Sequence, residues 1–165
     1  LALAYSRGKR RRFRRAVNAK DTAVFREALA RFGMGLEDRM KTKVGLLSGG
    51  QRQAVTLLMC TIVPPRVLLL DEHTAALDPA AAEKVLAITR EIVSREKLTT
   101  LMITHNIQSA LSMGTRTIMM NAGRIVLDIA GEERAHMTVP RLLELYQQKS
   151  GAVLDTDRIL LTQTR

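Results

Sequence analysis

A Ser-Gly-Gly turn opening an apolar helical run, Leu47-Ser48-Gly49-Gly50-Gln51, has the makings of a phosphate site. Ser48 is a residue that caps helices, the glycines carry no Cβ to hold an anion off the backbone N–H groups, and a helix N-terminus adds partial positive charge. Further on, Asp71 and Glu72 close the apolar run Val67-Leu68-Leu69-Leu70. Adjacent residues on an extended strand point opposite ways, so one carboxylate can hold a metal while the next addresses a water. A strand-end pair with a capping role is the plain alternative. Asp78, just before Pro79, reads as a helix N-cap, and His105 ends a second apolar segment, where a histidine is ordinarily a satisfied surface or core residue.

These residues need elements to carry them. Val24, Phe25, Ala28, Leu29 and Phe32 recur at helical spacing over 21–32, and Gly33 and Gly35 supply a stop. Ser48 begins a second helix, with Ala54, Val55, Leu57, Leu58 and Ile62 on its apolar side, and Pro64-Pro65 ends it. Val67 to Leu70 then predicts a fully buried strand of the parallel-sheet type. The run 80–95 is a third helix behind the Asp78-Pro79 start, and Thr99 to Thr104 a second short buried strand. A helix over 107–113 stops at Gly114, and strands over 115–120 and 124–129 flank Asn121-Ala122-Gly123 as a hairpin. A last helix over 140–148 is capped by Thr138. The order strand, helix, strand, helix, hairpin describes an α/β protein with antiparallel strands at one edge.

Taken in order, Leu47 to Gln51, the strand ending in Asp71-Glu72, Ala76-Leu77-Asp78 and Thr104-His105 resemble the signature, Walker B, D-loop and switch histidine of ATP-binding-cassette (ABC) ATPases. The resemblance spans about Leu47 to Arg124. It implies a partial P-loop NTPase fold: a mainly parallel sheet flanked by helices, a C-terminal antiparallel hairpin and a partial helical subdomain. It further implies that Asp71 binds Mg²⁺, that Glu72 orients the water attacking the γ-phosphate of ATP, and that His105 hydrogen-bonds that phosphate. Leu47, Ser48, Gly49, Gly50 and Gln51 would address an ATP held by an opposing subunit, with Asp78 nearby at the dimer interface. His73 stands where the family often has Pro, and Ala75-Ala76 replaces Ser-Ala; a tolerated loop variant is the ordinary reading of His73.

A Walker A loop, Gly, four residues, then Gly-Lys-Ser or Gly-Lys-Thr, is not in these 165 residues; Gly8-Lys9 is followed by Arg10 and has no upstream Gly. The chain is therefore expected to represent the C-terminal two-thirds of such an ATPase. Residues 1–62 would belong to the helical subdomain, 63–150 to the α/β core and 151–165 to a tail. An incomplete sheet of this kind would expose edges and apolar faces. The fragment alone is expected to be inactive, and the whole protein to work with a second ATPase subunit and transmembrane permease subunits at the cytoplasmic face of a bacterial membrane.

Composition narrows the partners. The net charge of +10 is concentrated between Arg7 and Arg15, where seven of nine residues are Lys or Arg. Such a block suits anionic lipid, while 3% aromatic residues and no Trp leave no stacking platform for single-stranded nucleic acid. A solvated loop is the plain alternative. The lone Cys60 lies on an apolar helical stretch and reads as an inert thiol. Two other functions stay open: a soluble ABC-type ATPase acting on nucleic acid, and a non-catalytic module donating only its signature.

Overall fold

In the computed structural model, residues 1–7 and 18–150 are described. The basic block beyond Arg7 and the tail from Gly151 lie outside the described residues. The elements in order are α1 (Ala2–Tyr5), α2 (Ala19–Ala30), α3 (Gly49–Thr61), β1 (Val67–Asp71), α4 (Pro79–Arg95), β2 (Thr99–Ile103), α5 (Ile107–Ser112), β3 (Arg116–Asn121), β4 (Arg124–Ala130), α6 (Gly131–Ala135) and α7 (Val139–Ser150). The fold class is the one expected, with helices, a small parallel sheet and an antiparallel hairpin. The chain divides into two compact units, Leu1–Met102 and a second beginning at Ile103.

The first unit is built on α3 and α4. Ala54, Leu57 and Leu58 of α3, Ile88 and Ile92 of α4, and Leu68 and Leu70 of β1 share one core with Leu29, Phe32, Leu36 and Leu47. Each side chain of this size that leaves water contributes about 1.5–3 kcal/mol, so this cluster holds the unit together. Tyr5 of α1 packs edge-on against Phe25 of α2, the ring centres 5.5 Å apart. Helix α2 begins earlier than its apolar period suggests, because Asn18 accepts from the Asp21 N–H while the Asp21 carboxylate accepts from the Asn18 N–H.

One expectation fails here. β1 is not buried on both faces: Leu68 and Leu70 are buried, but Val67 is 52% and Leu69 70% exposed. Its partner β2 leaves Leu101 at 55%. The two strands form a sheet of their own, and the core residues of α3 and α4 lie against the Leu68 and Leu70 side alone. An unbroken apolar run permits two covered faces but does not supply the second cover.

The second unit is a hairpin under two helices. β3 and β4 pair antiparallel, with Asn121 opposite Arg124 and a register shift between Met119 and Met120. Ala122 and Gly123 make the turn with φ of 48° and 75°, the two positive values that suit a right-twisted hairpin. The hairpin forms a separate two-stranded sheet. Leu127 and Ile129 of β4 bury against Leu142 and Tyr146 of α7 and Ile107 of α5. Thr138 accepts from the Arg141 N–H at the start of α7, as its placement predicts.

Candidate functional site

The signature turn is locked by its own side chains. Ser48 is extended, at φ −63° and ψ 164°, and its Oγ accepts from the Gln51 N–H at 3.2 Å. Gln51 Oε1 accepts from the Ser48 N–H at 3.1 Å, which completes a reciprocal cap. The other end of the Gln51 amide donates to the Met34 carbonyl at 3.0 Å, tying the cap to the loop after α2. Arg52, which follows the motif and whose role its spacing does not reveal, donates to the Leu47 carbonyl at 2.7 Å and so fixes the residue entering the turn. Leu47 is buried in the core, whereas Ser48 is exposed.

Both glycines are places where a side chain would not fit easily. A Cβ on Gly49 would stand 3.0 Å from Cδ2 of Leu77, and one on Gly50 would stand 3.1 Å from the Ala81 Cβ and 3.4 Å from Cε of Met34. Leu77 lies in the turn after β1 and Ala81 in the first turn of α4. The signature and D-loop segments of this chain therefore pack directly on each other, a use for the glycines that their spacing does not reveal.

Asp71 is the exposed last residue of β1. Glu72 follows with φ +48°, left-handed backbone without glycine's freedom, which costs on the order of 1–2 kcal/mol. Its carbonyl accepts from the Ala75 N–H at 3.0 Å, and the Thr74 carbonyl from the Leu77 N–H at 3.2 Å, so the turn coils tightly toward α4. Asp78 does serve as the α4 cap, accepting from the Ala81 N–H at 3.0 Å, with Pro79 behind it. Lys84 of α4 donates to the Gly33 carbonyl at 2.6 Å.

His73 is half-buried rather than a free loop residue. Its Nε2 lies 3.3 Å from Oγ1 of Thr89, a residue of α4 that is only 1% exposed. Burial holds the imidazole below the ordinary histidine range, because the charged form would lose water.

His105 belongs to the second unit, two residues beyond β2, and is exposed. Behind it Asn106 caps α5, accepting from the Ser109 N–H at 2.8 Å, while the Asn106 N–H donates to Oγ1 of Thr104 at 3.1 Å. The far end of α5 is held by Arg134 of α6, whose guanidinium donates to the carbonyls of Leu111 and Met113 at 2.9 and 2.5 Å and to Oγ1 of Thr117 at 2.9 Å. Nothing in the local sequence pattern marked Arg134.

The first unit thus packs Gly49 and Gly50 against Leu77, at the end of the turn after β1, and Ala81, in the first turn of α4. Two open grooves, of about 240 Å³ beside Phe32, Leu58 and Ile92 and about 410 Å³ beside Leu111, Met137 and Pro140, include none of these residues. Among the described residues, no group of three or more His, Cys, Asp or Glu side chains forms a metal cage. Carboxylate oxygens such as those of Asp71 and Glu72 are hard donors of the kind Mg²⁺ takes singly or in pairs, completing its shell with water and phosphate. Among the described residues no helix is long and apolar enough to cross a membrane.

Comparison with known proteins points one way. A family model described as ABC transporter matches residues 4–75. The chain is 41% identical to a tyrosine transport ATP-binding protein of Clostridioides difficile over 89% of its length and 58% of the relative. It is 37% identical to a phosphonates import ATP-binding protein of Thiobacillus denitrificans, over 79% of the chain and 48% of the relative. A thiamine import ATP-binding protein of Salmonella paratyphi A is 43% identical over 61% of the chain and 42% of the relative. The chain spans about half the length of these curated relatives. A solved ABC transporter in an inward-facing conformation superposes with a TM-score of 0.68 at 25% identity, over 88% of this chain and 56% of the other. Sequence, fold and the order of the turn, strand-end carboxylates and histidine agree, and the chain belongs to the ABC transporter ATPase family.

Proposed function

We propose that this chain is part of the ATP-binding and ATP-hydrolysing subunit of an ABC transporter, coupling hydrolysis at a dimer interface to movement of a substrate across the cytoplasmic membrane. The observation that carries it is the start of α3. The Ser48 hydroxyl accepts from the Gln51 N–H, which leaves its own proton for an incoming acceptor, and Ser48 is exposed. Ser48 and the N–H of Gly49 would donate to the γ-phosphate of an ATP brought by a facing subunit, with Leu47, Gly50 and Gln51 holding the turn in shape. Two-fold symmetry would then give each site one signature and the Walker A and B residues of the other chain.

Asp71 would hold Mg²⁺, through water or directly, and Glu72 would orient the attacking water and take up its proton. Mg²⁺ would neutralise charge on the phosphates during transfer. His105 would hydrogen-bond the γ-phosphate, and Asp78 would keep its capping role while lying at the dimer interface. In this reading 1–62 belongs to the helical subdomain, 63–150 to the core and 151–165 to a tail, and the partners are a second ATPase subunit and membrane permeases. The relatives' names, two of them import ATP-binding proteins, support a peripheral site on the cytoplasmic face. Anionic lipid contact through Arg7 to Arg15 rests on charge; Arg7 itself donates to the Met59 carbonyl at 2.9 Å.

The 165 residues contain no Walker A loop, so the triphosphate must be held by residues outside them, and the chain by itself is expected to show no sustained turnover. The test joins the chain to a cassette that supplies Walker A. Mg²⁺-dependent ATP hydrolysis should appear and vanish in Glu72→Gln, with ATP-driven association kept. Hydrolysis unaffected by Glu72→Gln would overturn the assignment.

A further inference from the structure

We propose that His73 is the positioning residue of Glu72: its Nε2–H donates to Thr89 Oγ1 and so anchors the turn after β1 to the buried face of α4. The inference rests on the reading of Glu72 as the residue that orients water. Thr89 fixes the direction of this bond. Its hydroxyl donates its single proton to the Val85 carbonyl at 2.8 Å, inside α4, so toward His73 it can only accept. The ring nitrogen facing it must therefore carry hydrogen, which leaves Nδ1 as the bare nitrogen of the neutral ring.

The acceptor does not yield. Thr89 is 1% exposed, and its helix neighbours Ile88 and Ile92 sit in the core of the first unit. A left-handed residue other than glycine persists only where its surroundings over-determine it. Glu72, at φ +48°, has the tight bonds of its own turn on one side and His73 on the other, reaching sixteen residues along the chain to a fixed atom. Pinning the residue next to Glu72 limits where its carboxylate can point. A misplacement of about 1 Å at such a group can cost on the order of 10²-fold in rate.

Three variants test this. His73→Gln keeps an N–H donor at similar reach, His73→Leu fills the space without one, and Thr89→Val removes the acceptor at constant shape. Proton–nitrogen spectra of this chain at mildly alkaline pH should show His73 as the Nε2–H tautomer with that proton protected from exchange with water, and Thr89→Val should remove the protection. Amide exchange over 72–75 should quicken in His73→Leu and Thr89→Val and stay near the parent rate in His73→Gln. In the assembly with a Walker A cassette, kcat should fall by 10-fold or more in His73→Leu and Thr89→Val with KM held, and recover in His73→Gln. An Nδ1–H tautomer, or equal losses in His73→Gln and His73→Leu, would overturn the proposal. These spectral and exchange readouts need no nucleotide, so they stand even where Glu72→Gln sinks the wider reading.

Discussion

Gly50 of the signature helix approaches Ala81 of α4 so closely that a Cβ on the glycine would stand 3.1 Å from the alanine's Cβ. Ala81 is fixed to a helix backbone and cannot rotate away, whereas the Leu77 Cδ2 facing Gly49 is the end of a flexible side chain. Two neighbouring glycines should then respond differently. Gly50→Ala should lower stability by up to about 2 kcal/mol, the ~1–3 expected of overpacking less the ~1 that alanine gains in helix propensity. Gly49→Ala should stay within ~0.5 kcal/mol. Denaturant midpoints of the two variants decide it; equal losses would mean that the close contact does not govern.

Ser48 has a capping duty and a proposed phosphate duty, and two substitutions separate them. Ser48→Ala loses the acceptor for the Gln51 N–H and should cost about 1 kcal/mol. Ser48→Asp keeps a capping oxygen, so melting should change little, but it sets a carboxylate against a triphosphate. ATP-driven association should fail in both, and stability in the first alone.

Much of this arrangement was legible in the chain, and the remainder was hidden for physical reasons. Ser48, Asp78 and Thr138 could be read as caps because capping is local: residue type and three-residue spacing suffice. The hairpin was legible because Ala122-Gly123 announces its turn. Long-range partners leave no such trace. Nothing near His73 says that Thr89 lies opposite, and nothing near Gly50 says that Ala81 does. Val67 and Leu69 are the counterpart: the run Val67 to Leu70 carries apolar character on both faces, and whether a second layer covers it depends on residues elsewhere. Helix α6, five residues long, is too short to show a period.

Arg116 and Asp128, on neighbouring strands of the hairpin, form a forked ion pair, Nε to Oδ1 at 2.7 Å. The hydrogen bond from Arg116 and its charge hold the Asp128 carboxyl below the ordinary aspartate range, and the same contacts raise Arg116. A depressed folded-state value means that the pair's contribution is complete above the ordinary aspartate range and is lost as pH falls through the lowered value. A carboxyl-carbon titration should place Asp128 below the ordinary aspartate range. Asp128→Asn should flatten that acid limb, and added salt should weaken the pair, since both side chains are exposed.

Glu72 sets stability against chemistry. Glu72→Gly removes the left-handed strain and should raise stability by about 1 kcal/mol, while Glu72→Gln keeps the backbone penalty. Both lack the carboxylate, so both should lose hydrolysis in the assembled protein. A gain of stability in the glycine variant alone, measured by thermal melting, would separate the backbone cost from the side chain's task. No gain would mean that the turn's internal bonds make the conformation cheap.

Arg134 closes the helix that follows His105, and its loss should be felt there. The carbonyls of Leu111 and Met113 at the end of α5 receive its guanidinium, and the Thr117 hydroxyl takes a third bond. Arg134→Met keeps the stem and removes every donor, which leaves part-buried carbonyls short of a partner at about 1–3 kcal/mol. Arg134→Lys offers a compact ammonium that cannot span the same fork, so its loss should be intermediate. The two should order as methionine worse than lysine both in melting and in amide exchange along α5. Because Asn106 caps the other end of this six-residue helix, loosening one end leaves little to hold the other, and exchange at the Ser109 N–H that Asn106 caps should quicken in step.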